Sequence, residues 1–398
     1  MVTVHTSPAA NPGAADAGGM NVVVWQTARA LAAQGIAVDL LTRRDSPELE
    51  YCQQLAPGLR LFNLPAGPPE QVAKSDAESL IAPFTAELSK WWVANGEGIS
   101  VIHSHHWFSG MAAIPVAHGA QVAHLQSYHS VSAPEGAALS AGEPPESPGR
   151  IPGERYIGLN SNAVLAVSEA EKRTIMERYQ VPEQKIFVSN PGVDLERFRP
   201  LAPDEKIWAW GGQYLLFAAR LQPLKAPDLA LRALAEIPAA ERPRLVIAGQ
   251  TSKDFAGYAD ELNNLVTELG LVDRVLFLGS QDRDELAKMM RGALALVNPS
   301  QSETYGLINL EASASGIPVI ATKTGGMNES VQDGLTGKLI DSTDPKQWAK
   351  AIQEIAVDQA KRKAYGLAGR SFAMGRSWAQ VAKEWANCYA EISSSEQH

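Results

Sequence analysis

The sequence predicts an α/β protein made of two doubly wound domains. Short apolar strands alternate with amphipathic helices along the 398 residues, an order typical of parallel sheets covered by helices. The length is sufficient for two domains of ordinary size. Residues 190–200 contain two prolines and no apolar period, which places the join between the domains there. We therefore expect one domain over residues 1–195, a second over residues 196–372 and a final helix within residues 373–398.

The first half of the chain opens with little room for a strand. Only four residues precede His5, which predicts a stunted first strand or a misassigned start codon. Residues 21–34 carry apolar side chains at helical spacing, and Gly35 can end that helix. Six further strands are predicted at residues 36–42, 59–64, 99–102, 121–125, 163–167 and 185–189. Residues 133–153 are rich in Gly, Pro, Ser and Ala, which favours a mobile loop.

The second half repeats the alternation of strands and helices. Five strands are predicted at residues 214–219, 244–248, 274–278, 293–297 and 317–321. Residues 377–392 have the pattern of an amphipathic helix, since Trp378, Val381, Trp385 and Tyr389 recur at helical spacing.

Composition excludes several classes of function. The net charge of −9, from 35 basic and 44 acidic residues, gives no broad attraction to nucleic acid, so we expect small-molecule partners. Cys52 and Cys388 are far apart and indicate neither a disulfide framework nor a thiolate zinc site. No signal peptide and no apolar run of membrane-spanning length is visible, which predicts a cytoplasmic protein. A homodimer is compatible with the sequence.

A set of charged residues in the second half predicts a binding site. Glu303 and Glu311 stand astride a Tyr-Gly-Leu that precedes an apolar helix, and Arg220 and Lys225 follow the strand at 214–219. Amides at a helix start and two cations favour a diphosphate, whereas carboxylates accept hydrogen bonds from sugar and ribose hydroxyls. The set can therefore hold a nucleotide diphosphate with a sugar attached.

These four residues, at this spacing, resemble the donor site of retaining GT-B glycosyltransferases of the family-4 type. Residues 5–21, 103–110 and 315–319 extend the resemblance, which covers nearly the whole chain. Within the family it is nearest to the D-inositol-3-phosphate glycosyltransferases, and the sucrose-phosphate synthases are the alternative. The resemblance implies two Rossmann-like domains that face each other across a cleft, with the final helix crossing back to the N-terminal domain.

The resemblance also implies an activity. We expect a hexosyltransferase that moves a sugar with retention from a nucleotide-sugar, with a UDP-sugar favoured, to a small phosphorylated polyol or sugar. Inositol 3-phosphate is the favoured acceptor, and fructose 6-phosphate is the acceptor under the alternative. No cofactor is needed for this chemistry, and Mg²⁺ is compatible with it but not implied. An epimerase and a non-catalytic nucleotide-sugar binding protein are the alternatives from other classes.

The residues and the resemblance together predict three groups of site residues. Catalytic roles fall on His129, Arg220, Lys225 and Glu303. Donor-binding roles fall on Gly18, Gly19, Arg220, Lys225, Tyr305, Gly306, Leu307 and Glu311. Acceptor-binding roles fall on His5, Asp16, Asn21, Lys74, His106, Ser130, Arg150 and Arg155. Lys74, together with Arg150 or Arg155, is expected to hold an acceptor phosphate.

Each of these features also has an ordinary structural explanation. Asp16 or Asn21 could cap a helix, and loop cations are usually solvated. The coincidence of four charged residues at the family's spacing favours the donor site. His103 and His105 share one strand face, but no third ligand stands nearby in sequence, so no metal site is predicted. His106 occupies a position where the family often has tyrosine, which leaves the identity of the acceptor open.

Overall fold

A computed structural model of the chain describes residues 1–10, 17–208, 210, 212–251 and 253–394. The chain divides into two compact units. The first unit contains the described residues up to Pro191 together with the last helix, which begins at Trp378, and the second contains Gly192 to Ser377. The division thus falls within residues 190–200, where the join was predicted, and the C-terminal helix groups with the N-terminal residues.

The first unit is built on an eight-stranded sheet in the order β3-β4-β2-β1-β5-β6-β7-β8. Its strands are parallel except for β3, which is antiparallel to β4. They are β1 Val2–Thr3, β2 Val38–Arg43, β3 Cys52–Ala56, β4 Leu59–Leu64, β5 Val101–His105, β6 Ala123–Ser127, β7 Ala163–Ala166 and β8 Ile186–Val188. Strands β6 and β7 are continuous runs of buried residues because helices cover both faces of the sheet.

The helices of the first unit pack on this sheet. They are α1 Gly19–Ala33, α2 Ile81–Asn95, α3 Trp107–Ala120, α4 Arg150–Asn160, α5 Glu169–Tyr179 and the last helix, α13 Trp378–Ser394. The side chain of Ser168 accepts a hydrogen bond from the amide of Glu171 and so fixes the start of α5. Ala28 and Leu31 of α1 form a buried cluster with Ala382 of α13, which holds the last helix on this unit.

The second unit has a six-stranded sheet in the order β11-β10-β9-β12-β13-β14. All its strand pairs are parallel. The strands are β9 Tyr214–Ala218, β10 Arg244–Ala248, β11 Val275–Gly279, β12 Leu296–Asn298, β13 Val319–Thr322 and β14 Gly337–Ile340. The helices are α6 Pro227–Glu236, α7 Tyr258–Glu268, α8 Arg283–Gly292, α9 Leu307–Ala314, α10 Met327–Ser330, α11 Pro345–Val357 and α12 Gln359–Met374.

The prediction of two Rossmann-like α/β units is confirmed, and all eleven predicted strands overlap observed ones. Two strands were missed. β3 is a largely exposed edge strand with polar residues, and β14 is four residues long, so neither has an apolar period to detect. The strand predicted at 99–102 continues to His105, since its polar side chains bond to neighbouring elements.

The predicted loop at 133–153 needs a correction at its end. Helix α4 already begins at Arg150, and Pro152 is accommodated because the first turn of a helix needs no amide donor there. Gly153 permits close packing, since a Cβ at that position would lie 2.6 Å from Cε3 of Trp107. Pro152 and Gly153, which the sequence placed in the loop, therefore belong to the first turn of α4.

Candidate active site

In the second unit, the order of the strands changes direction between β9 and β12. The chain adds β10 and β11 on one side of β9, and then β12, β13 and β14 on the other. Ligands of open parallel sheets bind beyond the carboxyl ends of the strands at such a point. β9 ends just before Arg220 and Lys225, and β12 ends shortly before Glu303. The topology thus brings these three predicted residues to one edge of the sheet.

Lys225 and Glu303 form a preorganised ion pair at this edge. Nζ of Lys225 lies 2.6 Å from Oε1 of Glu303, and both side chains are mostly shielded from solvent. Lys225 ends a single 3-10 turn, and the amide of Gln301 donates to the carbonyl of Leu224, which ties the two loops together. Arg220 is half-buried in the same loop. A charge held in this way needs little reorganisation when a leaving group arrives.

Two glycines that the sequence analysis did not single out support Glu303. A Cβ on Gly325 would lie 2.3 Å from the carbonyl oxygen of Glu303, and one on Gly326 would lie 1.9 Å from that of Thr304. The amide of Gly326 also donates to the carbonyl of Glu303. Only glycine allows this approach. In the sequence, the two adjacent glycines after β13 were the pattern that could have indicated this close approach to Glu303.

The helix that follows Glu303 opens as predicted. Gly306 has φ of 88° and precedes α9, a left-handed conformation suited to glycine, and Leu307 is the first helical residue. Amides of a first helical turn lack acceptors within the helix, so they can bind phosphate oxygens. Tyr305 is 3% exposed, and burial raises the pKa of its hydroxyl. Its side chain is therefore part of the interior, and its backbone is what could contact a donor.

Glu311 lies inside the second unit and is held by a residue that the sequence analysis missed. It is 1% exposed, and Arg283 donates to both of its carboxylate oxygens, one of them at 3.1 Å. The guanidinium carbon of Arg283 also lies 4.7 Å above the ring centre of Phe198. Burial raises the pKa of Glu311, and Arg283 opposes that shift. Glu311 is therefore already paired with Arg283, but a carboxylate has further lone pairs that can accept hydrogen bonds from ribose hydroxyls.

The two carboxylates should respond differently to neutralisation. We expect Glu311→Gln to weaken the binding of free UDP about tenfold or more, because the family resemblance implies that Glu311 contacts the ribose. Glu303→Gln should bind UDP within about twofold of the parent, because the same resemblance implies that Glu303 faces the transferred sugar. Calorimetry measures both, with circular dichroism as a check on folding. Equal losses of UDP affinity in the two folded variants would refute this division of roles.

The first unit has a corresponding change of strand order, between β1 and β5. His5 follows β1, His106 follows β5, and His129 follows β6, the next strand along. The rings of His5 and His106 are 4.5 Å apart between centres, and Nδ1 of His105 lies 2.9 Å from Nε2 of His129. Three of these histidines were predicted site residues, and the fold places them at one end of the sheet.

Burial favours the neutral form of His105, His106 and His129. Burial lowers the pKa of His129 to about 3 and that of His106 well below its usual value. Among the described residues, the buried Nε2 of His105 has no hydrogen-bond partner, nor has either ring nitrogen of His106. Buried ring nitrogens without a hydrogen-bond partner favour the binding of a water molecule or of a ligand that carries hydroxyl groups. His106 also has φ of 70° and ψ of 158°, a conformation that is costly for a non-glycine residue.

Lys74 and Arg150 form one cluster with acidic residues of the segment before α4. Nζ of Lys74 lies 3.0 Å from Oε2 of Glu143, and Nη1 of Arg150 lies 3.3 Å from the same oxygen. Nη1 of Arg150 also contacts Glu146, and its Nε lies 2.8 Å from Glu154. Neither the three glutamates nor their pairing was predicted. The three glutamates lie at positions −7, −4 and +4 from Arg150, and this spacing was the pattern in the sequence that could have indicated the cluster.

Ser130 belongs to this cluster and Arg155 does not. Nη2 of Arg150 donates to Oγ of Ser130 at 2.9 Å. Arg155 is exposed, and its guanidinium donates to the carbonyl of Tyr179 at 3.4 Å. Burial works against the charge of Arg150, but Glu154, Glu143 and Glu146 outweigh it and raise the pKa of the guanidinium. Of the two arginines left open by the sequence, Arg150 is the one beside Lys74.

The glycines before α1 adjoin a well-anchored asparagine. The amide of Gly18 donates to the Asn21 side chain at 2.9 Å, and that side chain donates to Thr6 and to the carbonyl of Ser7. Asn21 therefore holds the loop after β1 against the start of the helix. Gly19 is exposed, and a Cβ there would meet nothing within 4 Å. Asp16 lies outside the described residues.

No group of three or more His, Cys, Asp or Glu side chains in the part of the chain that the structure describes could hold a metal ion. No helix among the described elements is both long enough and apolar enough to cross a membrane.

The chain matches known protein families along most of its length. Residues 203–372 match the family described as glycosyl transferases group 1, and residues 17–197 match Glycosyltransferase Family 4. A D-inositol 3-phosphate glycosyltransferase from Stackebrandtia nassauensis is 37% identical to this chain, over 98% of the chain and 90% of that protein. The chain belongs to the family-4 glycosyltransferases. The expectation of a hexosyltransferase is thereby confirmed.

Solved structures place this glycosyltransferase among GT-B proteins. Sucrose-phosphate synthase from Thermosynechococcus elongatus superposes with a TM-score of 0.89 and 27% identity, over 99% of this chain and 98% of that one. HepE from Anabaena, in complex with UDP and glucose, has a TM-score of 0.75 and 17% identity, over 98% and 99% of the two chains. The second likeness shows the fold alone.

Proposed function

We propose that this glycosyltransferase moves a hexose from a UDP-sugar to a small phosphorylated polyol, with inositol 3-phosphate as the leading candidate. The observation that carries the proposal is the presence of two separate pairs of cations. Arg220 and Lys225 belong to the second unit, where they suit the donor diphosphate. Lys74 and Arg150 belong to the first unit. A second pair of cations there suits the binding of an acceptor that is also anionic. The names of the relatives agree with this acceptor.

The chemistry at the donor is positioning and charge stabilisation. The bond between the anomeric carbon and the diphosphate oxygen breaks, and a bond to an acceptor hydroxyl oxygen forms. Arg220, Lys225 and the first amides of α9 would stabilise the charge that develops on the leaving diphosphate. Glu303, fixed by Lys225, would accept hydrogen bonds from hydroxyls of the transferred sugar.

We propose transfer with retention, by attack on the face from which the diphosphate leaves. The acceptor proton would pass to an oxygen of that diphosphate. Two observations support this route. Glu303 and Glu311 are each engaged with a cation, an arrangement for binding rather than for covalent attack. His129 has a pKa of about 3, so it holds no proton to donate as a cation near neutral pH, and it is better suited to line the sugar site.

The alternative acceptor is fructose 6-phosphate. The superposition on sucrose-phosphate synthase over nearly the full length of both chains favours it. Both acceptors carry a phosphate on a polyhydroxylated ring, so Lys74 and Arg150 suit either one.

A matrix of donors and acceptors tests the proposal. UDP-, ADP- and GDP-sugars are combined with inositol 3-phosphate, fructose 6-phosphate, and the same two compounds without phosphate. Products are identified by mass, and the anomeric configuration by nuclear magnetic resonance. We expect UDP-sugar and inositol 3-phosphate to give an α-linked product from an α-linked donor. An inverted product would refute retention, and equal transfer to free inositol would refute the phosphate requirement.

Removal of the Lys74 cation should weaken the binding of the acceptor and leave the binding of the donor unchanged. We expect Lys74→Ala to raise the Michaelis constant of the phosphorylated acceptor about tenfold, because a charge-assisted hydrogen bond contributes roughly 1.5–3 kcal/mol. Free UDP should bind as it does to the parent. Steady-state kinetics with each acceptor, and calorimetry with UDP, measure the two effects.

The acceptor without its phosphate completes a double-mutant cycle. It should react poorly with the parent and little worse with Lys74→Ala, because the side chain and the phosphate act on each other. Lys90→Ala is the matched control, since that lysine is exposed on α2. Equal effects of Lys74→Ala on both acceptors would show that the lysine does not bind the phosphate.

A further inference from the structure

One oxygen of Glu143 lies where a phosphate oxygen would be expected. Oε2 of Glu143 is 3.0 Å from Nζ of Lys74 and 3.3 Å from Nη1 of Arg150, so a single anionic atom bridges both cations. A phosphate bound to the same two side chains needs an oxygen at the same place. The carboxylate and an acceptor phosphate therefore cannot both occupy it.

The other two carboxylates of the cluster are more deeply buried than that of Glu143. Oε1 of Glu146 accepts from the indole nitrogen of Trp107 at 2.7 Å. Glu154 accepts from the amide of Ser132 at 2.9 Å and from the hydroxyl of Tyr179. Their side chains are 9% and 1% exposed. Both are built into the first unit and can orient Arg150 without leaving it.

Glu143 is placed to move its side chain while its backbone stays. Its side chain is 21% exposed, the highest value among the three glutamates. Its backbone forms a bridge with Ser132, and its carbonyl accepts from the amide of Ala133 at 2.8 Å. Rotation of the side chain into solvent would expose both cations and would not disturb this bridge.

We propose that Glu143 is an internal competitor of the acceptor's phosphate and sets the affinity of the enzyme for its acceptor. This inference rests on the proposed function, which supplies a phosphorylated acceptor. A phosphate displaces the carboxylate because it carries more charge and more oxygens for the same two cations. An acceptor without phosphate leaves Glu143 in place, so its affinity is independent of this side chain. On product release, the carboxylate returns to the cations.

Neutralising Glu143 gives the decisive measurement. Glutamine keeps the length of the side chain but not its charge. We expect Glu143→Gln to lower the Michaelis constant of the phosphorylated acceptor about tenfold, with turnover within threefold of the parent. The Michaelis constant of the acceptor without phosphate should change by less than twofold. Glu143→Asp should lie nearer the parent, because it retains the charge.

A matched control lies in the same segment. Glu135 is exposed, so Glu135→Gln removes the same charge from the segment without touching the cluster. It should leave both Michaelis constants unchanged. An unchanged or higher Michaelis constant of the phosphorylated acceptor in Glu143→Gln would overturn the proposal and make Glu143 a structural residue.

Inorganic phosphate separates this inference from the proposed function. Calorimetry in saturating UDP measures phosphate binding while a nucleotide fills the donor site. We expect Glu143→Gln to bind phosphate at least fivefold more tightly than the parent, and the additional change Lys74→Ala to abolish the gain. A parent that transfers to no phosphorylated acceptor would refute the function alone. Equal phosphate affinities of parent and Glu143→Gln would refute the competition.

Discussion

Lys225→Ala should lower turnover a hundredfold or more while the protein stays folded. Lys225 is the cation whose position at the end of β9 is fixed by its 3-10 turn and by its ion pair with Glu303. A preorganised charge that faces a leaving group contributes about 3–4 kcal/mol to the transition state. Turnover with saturating substrates is the measurement, and binding of free UDP should fall by much less. Arg220→Ala should behave in the same way.

The control for this prediction is Lys350→Ala. Lys350 is exposed on α11 of the same unit, so its loss changes the net charge equally but removes nothing from the site. Its turnover should stay within about twofold of the parent. Glu303 is itself partly exposed and can regain water in Lys225→Ala, so the fold should persist. Turnover within threefold of the parent in folded Lys225→Ala would refute the donor-site assignment.

The sequence predicted the fold well because its signals are local. Strands such as β9 and β10 are apolar runs bounded by polar residues, and two such runs overlap the observed strands almost residue for residue. The antiparallel edge strand β3 was missed because its polar, half-exposed residues are stabilised by pairing with β4, which no local pattern encodes. Pairing between segments is a tertiary property.

Topology explains why several candidate site residues lie together, but the sequence did not reveal their charge partners. Arg220, Lys225 and Glu303 meet at one edge because parallel strands end together, a consequence of topology that the alternation of elements implies. Arg283 could not be predicted as the partner of Glu311, since 28 residues separate them and the pairing depends on how α8 packs beside α9. Charge partners brought together by packing leave little trace in a single sequence.

The buried arginine of the acceptor cluster also supports a prediction about stability. We expect Arg150→Met to reduce the stability of the first unit by about 3–5 kcal/mol at neutral pH. Arg150 is fully buried and contacts Glu143, Glu146 and Glu154. Its removal leaves Lys74 as the remaining cation beside Glu143 and Glu146, and it takes away the cation that pairs with the buried Glu154. Urea unfolding followed by peptide-resolved hydrogen exchange is the measurement, because two units need not unfold together.

The stability lost in Arg150→Met should depend on pH, and α4 also offers a control variant. Without Arg150, burial and mutual repulsion disfavour the charged form of the clustered carboxylates, so protonation relieves part of the cost. The folded variant then binds more protons than the unfolded chain, so its deficit relative to the parent should shrink as pH falls from 7 towards 5. Arg155 is exposed and lies five positions further along α4. Arg155→Met should therefore reduce the free energy of unfolding by no more than about 0.5 kcal/mol at either pH. If the two variants lose equal stability, the cluster does not hold α4 in place, and Arg150 is present for the acceptor alone.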